Sequence, residues 1–405
     1  MTSERGSFPP PVDVRGRGFP SRAALGDVQR WIDARAALPV PESVPVAQAA
    51  GRVLTAALAA PGDWPPADRA VRDGVAVASA DTLGAGSYNP VPLLNAVPVS
   101  AGAPLPPGTD AVLPVEAVQM DAGFTEALGS VAPGEGVERR GDSLRASAVL
   151  WEAGRVLRPQ DLGLLAALGV DTVAVAAQPR VRILLVGGPR SGPEVLGAML
   201  AALVARDGGV AELVGPLPAE SLLTDRGALA AACAAPGADL LLLAGRSGVG
   251  DDDLAPLALA DAGTLVAHGV AMRPGDSAGV GLAMGVPALL LPGEPMACLA
   301  AYELLAGRAV RRSAGRDPGL PHRRVEARTA RKLVSEIGCA DLYRVRFTAD
   351  GAVEPVASPA LPGLAGAVRA DGFVLIPAES EGFPAGSSVT VQCFDGTTTS
   401  STRNS

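Results

Sequence analysis

The chain is 405 residues long, nearly half of them apolar, and carries a formal net charge of −8. That length buries a large core and suggests roughly two to four domains, and the acidic balance argues against a general nucleic-acid partner. The four cysteines lie far apart, no CxxC occurs and neither histidine sits near them, so neither a zinc site nor a disulfide framework is expected, and a reducing, cytoplasmic location fits.

In chain order, the opening MTSERGSFPPPVDVRGRGF is polar and proline-rich, without the apolar stretch of a signal peptide. Residues 1–20 read as a disordered tail, as do residues 396–405 at the other end. A helix follows, with Ser21 as its N-cap and Leu25, Val28 and Ile32 on one face. Residues 53–138 are short strand-like pieces broken by proline and glycine, a small β-rich unit. Helical character returns in RPQDLGLLAALG, where Pro159 and Asp161 open a helix that ends near Gly169. That return predicts one domain made of residues 21–52 and 139–177, with 53–138 inserted into it.

Residues 178–316 alternate strand and helix: RVRILLVGG, PEVLGAMLAALVARDGG, ALAAACAAPGA, DLLLLAG and LPGEPMACLAAYELLAGRAVRR. Continuous apolar runs bounded by glycine predict a parallel sheet covered on both faces. The runs ILLVGG and LLLLAG are too short to span a bilayer, so no membrane role is expected. Residues 317–395 return to β-structure in DLYRVRFTADGAVEPVA, DGFVLIPAE and SSVTVQCFD. The expected fold class is α/β multidomain: a three-layer α/β domain, a β-rich insert domain and a C-terminal β domain.

Three stretches carry candidate chemistry. In DLLLLAGRSGVGDDD a buried strand runs into a glycine turn followed by three aspartates. Such a turn cradles anions through its backbone N–H groups. The acids either cap the next helix or hold a cation against a phosphate. In VAMRPGDSAGVGLAMGVPALLLPGEP two more glycine turns end expected strands, and ligands of open α/β sheets sit outside strand C-termini. Arg273 there is either a bidentate phosphate ligand or a solvated surface arginine. In DWPPADRAVRDGVAVASADT, Asp68, Asp73 and Asp81 crowd a turn-rich segment where aspartates usually make local turns. His268 stands alone before Gly269 and reads as structural.

Taken in order, these motifs resemble one family, the molybdopterin molybdotransferases (MoeA and the gephyrin E domain), over roughly residues 20–394. ESVPVAQAAGRVLTAALAAPGDWPPADRAVRDGVAV is similar to the family's opening, AGAPLPPGTDAVLPVEAV to its insert, and GVERRGDSLRASAVLWEAGRVLRPQDLGLLAALGVDTVAV to the return from that insert. AMRPGD and LPGEP stand where the family has its Pro-Gly-Lys-Pro and Leu-Pro-Gly-Asn-Pro loops. The resemblance implies a molybdopterin-binding α/β domain and cytoplasmic molybdenum cofactor biosynthesis: molybdate is joined to adenylated molybdopterin and AMP leaves. It also implies Mg²⁺ between carboxylates and phosphates, and an elongated homodimer whose cleft joins the α/β domain of one copy to the insert of the other.

Carried over by position, Asp73 and Asp253 are the expected catalytic and metal-holding acids. Gly245, Arg246, Ser247, Gly248, Gly250, Arg273, Pro274, Gly275, Pro292, Gly293 and Glu294 are the expected pterin-binding set. The chain departs from the family at several places. Arg246 and Ser247 alter the glycine loop, and Arg273 replaces a lysine in a chain whose only lysine is Lys332. Asp276 reverses the charge of a second lysine, Glu294 replaces an asparagine, and VGGPRSGPEVLG lacks the acids of the family's Thr-Gly-Asp-Glu-Leu loop. Three readings follow. The chain is an insertase; or a MoeA-like paralogue that binds molybdopterin or a partner, such as a molybdoenzyme or another cofactor-biosynthesis protein, without inserting metal; or a related fold recruited to another nucleotide-like ligand.

Overall fold

The structure is a computed structural model that describes residue 8 and residues 11–121, 124–187, 193–215 and 225–394. The chain forms two compact units, one of residues Met1–Glu42 with Ala176–Ser405, the other of Ser43–Val175.

The larger unit is built on a six-stranded sheet. Its strands are β1 (Arg180–Leu185), β2 (Val210–Val214), β3 (Leu240–Ala244), β4 (Gly263–His268), β5 (Gly279–Ala283) and β6 (Val286–Leu291), in spatial order β2-β1-β3-β6-β5-β4. The pairs among β2, β1, β3 and β6 are parallel. Strand β5 adds antiparallel to β6, and β4 antiparallel to β5, which differs from the all-parallel sheet expected. The reason is local: Met284 (φ 47°) and Gly285 (φ 84°) form a two-residue turn with both φ positive, the geometry that folds a tight hairpin.

Strand residues alternate between two apolar layers, as a sheet covered on both faces requires. Val181, Ile183, Leu240, Leu242, Leu289 and Leu291 face one layer, where α1 (Leu25–Arg35), α2 (Pro193–Arg206), α5 (Pro295–Ala301) and α6 (Gly307–Ser313) lie. Leu184, Leu241, Leu243, Ala288 and Leu290 face the other, against α3 (Arg226–Ala234) and α4 (Ala255–Ala262). A π-turn, Tyr302–Ala306, joins α5 to α6.

Two expectations need correction here. Helix α1, assigned from sequence to a domain with 139–177, buries Val28, Trp31 and Ile32 in the core of the larger unit. Its stripe packs beside Leu304 and Leu305, and Asp33 pairs with Arg308 at 2.6 Å. Ser21 lies outside the helix, whose N-cap position is Ala24. Residues 11–20, expected as a tail, are held in place: Val14 is 4 % exposed, and the Gly16 N–H donates to the Val249 carbonyl at 2.8 Å.

The C-terminal strands are β7 (Arg323–Arg328), β8 (Ala340–Phe347), β9 (Val353–Ala357), β10 (Gly372–Ile376) and β11 (Ser388–Cys393). They form a second six-stranded sheet, joined at its edge by Met272–Arg273, which pairs with β8.

The smaller unit has two cores. Val44, Val46, Ala49 and Leu54 pack with Leu157, Leu165, Val173 and Val175. Val75, Val77, Ala111 and Leu113 form the other, on a three-stranded sheet with Gly74–Val77 at its centre.

Candidate loop cluster at the strand ends

Strand β3 is buried throughout and ends at Ala244, and Gly245 opens the turn that follows. Only glycine fits there: its φ is +105°, and an added Cβ would lie 2.0 Å from the Val186 carbonyl oxygen. The chain then turns through Arg246 at φ 50°, a left-handed conformation uncommon outside glycine and asparagine. Gly293, in the loop after β6, packs against the same point, and a Cβ on it would sit 3.4 Å from Gly245 Cα. The turns after β3 and β6 therefore meet at the C-terminal edge of the sheet. Ser277 joins them, its Oγ 3.4 Å from that of Ser247.

The three aspartates after the turn have separate jobs. Asp253 folds back, and its Oδ2 accepts the Gly250 N–H at 2.7 Å. Gly248 makes room for that carboxylate, since a Cβ there would lie 2.7 Å from Oδ2. Asp252 pairs with the Arg246 guanidinium. Asp251 offers its backbone carbonyl to Arg15 at 3.2 Å. Asp253 thus braces the turn and does not cap α4, whose N-cap position is Leu254 without a side-chain hydrogen bond; its Oδ1 has no hydrogen-bond donor among the described residues.

Arg273 is committed elsewhere. Its Nε and Nη2 donate to the two carboxylate oxygens of Asp341 at 2.8 Å each, and Nη1 pairs with Glu336. Asp341 is fully buried and also accepts from Ser335 Oγ at 2.7 Å. The expected free phosphate ligand is instead a staple between the 272–273 strand and β8. The Asp341 hydrogen bonds hold the guanidinium protonated well above its ordinary range. Pro274 follows in cis, and Gly275 at φ 112° brings the turn against Met272 and Ala297. Glu294 is likewise occupied: its Oε2 caps α5 by accepting the Ala297 N–H at 2.7 Å, and its Oε1 accepts from Gly363 N–H at 3.0 Å. Pro292 lies between β6 and this cap.

Sequence reasoning missed the N-terminal segment. Arg22 pairs with Asp276 at 2.7 Å, placing a cation beside the residue that reverses charge. Phe19 packs edge-on against His268, with ring centroids 4.9 Å apart. Residues 11–15 close a cavity of about 300 Å³ lined also by Asp253, Leu257 and His268. No local signal marks this segment, because the contacts that hold it to the sheet domain, Gly16 to Val249, Phe19 to His268 and Arg22 to Asp276, each span more than two hundred residues.

Asp73 belongs to the smaller unit, where its Oδ1 accepts the Ala101 N–H at 2.8 Å, a contact 28 residues away along the chain and not the local turn expected of it. Among the described residues no group of three or more His, Cys, Asp or Glu side chains is arranged to hold a metal ion. The altered loop at 188–192 lies outside the described residues.

A doubly covered α/β sheet with glycine turns gathered at its strand ends, carried with a β-rich second unit, defines a multidomain protein with a site suited to anionic ligands. Comparison with known proteins narrows the class. The MoeA N-terminal region (domain I and II) matches residues 24–169, and a probable molybdopterin binding domain matches residues 186–312. Molybdopterin molybdenumtransferase 2 of Mycobacterium tuberculosis is 33% identical over 318 residues, 70% of this chain and 78% of that protein. A putative molybdopterin biosynthesis protein of Methanocaldococcus jannaschii is 27% identical over 386 residues, 86% of this chain and 91% of the other. The crystal structure of a molybdopterin biosynthesis MoeA protein from Pyrococcus horikoshii superposes with a TM-score of 0.71 at 26% identity, covering 93% of this chain and 100% of that one. The chain belongs to the MoeA family.

Proposed function

We propose that this chain works in molybdenum cofactor biosynthesis, inserting molybdate into adenylated molybdopterin with release of AMP. The observation that carries the reading is the contact between the glycine turns at Gly245–Gly250 and Gly293, at the C-terminal edge of a sheet of this family. Backbone N–H groups at such an edge bind phosphate and molybdate oxygens without depending on side-chain identity. The substrate's negative charge also explains acids near the cradle. Mg²⁺ is held by one or two protein carboxylates and completes its shell with water and phosphate oxygens. Asp253, capped on one oxygen and open on the other, fits that arrangement. Bound there, the ion would offset charge on the departing AMP phosphate. The chain's own part is to orient the anionic substrate on the turns and to keep Asp253 beside them. Asp73 is the second acid of the reading, and the assembly is a homodimer.

The experiment supplies adenylated molybdopterin, molybdate and Mg²⁺ to the full chain and measures AMP. Release by the wild type, lost in Asp253→Asn, is the expected result. Binding without AMP release would refute insertion, and no binding would refute the ligand class as well.

A further inference from the structure

One histidine stands beside the glycine turn. His268 ends β4, and its Nε2 lies 2.8 Å from the Ser247 carbonyl oxygen. A carbonyl only accepts, so Nε2 carries the proton. The Ser247–Gly248 peptide is trans, and in a trans peptide the N–H points opposite to the carbonyl. The Gly248 N–H is therefore turned away from the imidazole. No described residue accepts it. Ser247 itself is 2 % exposed, so the peptide is anchored on its carbonyl side and unclaimed on the other.

The imidazole is clamped in turn. Phe19 meets it at 80°. Gly269 makes this possible, because a Cβ there would lie 2.6 Å from Phe19 Cδ1. Arg22 stacks over the Phe19 ring, its guanidinium carbon 5.3 Å from the centroid. Burial pushes the His268 pKa below its usual value, against the opposing hydrogen bond to Ser247 and the nearby Asp253 and Asp13 carboxylates.

We propose that His268, clamped by Phe19, is a positioning residue for the anionic substrate: its Nε2–H fixes the Ser247–Gly248 peptide so that the Gly248 N–H faces a phosphate or molybdate oxygen. The inference rests on the molybdotransferase reading and adds a residue to it. An imidazole donates from Nε2 whether or not Nδ1 is protonated, so positioning adds no pH-dependent step of its own. A glutamine reaches with a similar amide donor; an alanine does not.

The test measures the Kd of adenylated molybdopterin and the rate of AMP release for wild type, His268→Ala, His268→Gln and Phe19→Leu. Loss of one oriented donor in His268→Ala should weaken binding by about tenfold, with kcat changed less. His268→Gln should recover most of that loss, and Phe19→Leu should fall between. The pH profile of kcat should be the same in wild type and His268→Gln. Binding by His268→Ala equal to wild type, or no recovery in His268→Gln, would overturn the proposal. So would a pH limb of kcat that vanishes in His268→Gln, since that marks an acid or base. Should wild type not bind the substrate, the functional reading fails, and amide exchange over residues 247–250 decides the rest. Faster exchange in His268→Ala that His268→Gln restores supports the fixed peptide; unchanged exchange overturns it.

Discussion

Arg273 is the residue on which sequence and structure differ most, and replacing it tests the difference directly. Its side chain is 24% exposed and that of Asp341 is 0% exposed, with two parallel hydrogen bonds of 2.8 Å between them. Arg273→Ala leaves Asp341 buried as a carboxylate with only the Ser335 hydroxyl on one oxygen. Breaking a buried pair from one side costs about 3–5 kcal/mol. The surviving Ser335 contact and the partial exposure of Arg273 favour the lower end, about 3 kcal/mol. Arg273→Lys keeps the charge and loses the planar fork, so it should cost roughly half as much. Urea denaturation reads these losses as a lower midpoint at unchanged slope. The double variant Arg273→Ala/Asp341→Ala should be more stable than Arg273→Ala alone, because no charge is then left uncompensated. A midpoint unmoved in Arg273→Ala, together with weakened substrate binding, would refute the staple and restore the phosphate ligand.

Gly248→Ala should displace Asp253, because the new Cβ would lie 2.7 Å from its Oδ2; AMP release should fall by about tenfold or more. Gly269→Ala should cost about 1–3 kcal/mol, since the position has φ +91° and the methyl would strike the Phe19 ring; faster proteolysis within residues 11–20 would show the segment released. Burial alone would raise the Glu303 pKa, but the hydrogen bonds from His322 and Arg206 prevail and hold it at about 2. A depressed carboxylate pKa stabilises the fold above the ordinary value of 4.5, and that contribution is lost as pH falls from there towards 2. Glu303→Gln should therefore be less stable at neutral pH and lose less on acidification over that window, measured by denaturation midpoints at each pH.

How much of this was readable depends on where each residue's partners lie. The buried strands β1 and β3 were legible because a strand covered on both faces must be apolar at every position. The reversed direction of β5 was not, since a continuous apolar run carries no polarity. The signal that existed was the pair Met284-Gly285, whose positive φ values close a hairpin. The N-terminal segment was read as a tail because its composition is that of one. What holds it is long-range: Gly16 on Val249, Arg22 on Asp276, Phe19 on His268. Glu294 follows the same logic, since its second contact, Gly363, is remote in sequence.

The charge reversal at Asp276 looks severe in sequence and less so in space. Arg22 pairs with it, and both side chains are at least a third exposed, so the pair restores local neutrality at little desolvation cost. The other arginines near the turns are also paired: Arg15 with Asp13, Arg246 with Asp252, Arg273 with Asp341 and Glu336. These pairs are not equally easy to exchange. Asp341 is fully buried, so Arg273 cannot leave it without stranding a charge. Asp252 is 68% exposed, and surface pairs of that kind are worth about 1 kcal/mol or less. On the proposed function, Arg246 is then the cation free to turn from Asp252 to an arriving phosphate, with water re-solvating the released carboxylate. Arg273 is not. The family-like position of an arginine is thus a poor guide to which one meets the substrate. The burial of its present partner is a better one: Asp252 is more exposed than Asp13 or Asp276, and by that measure Arg246 is the most adaptable of these cations and the one that makes the glycine turn look unlike its relatives.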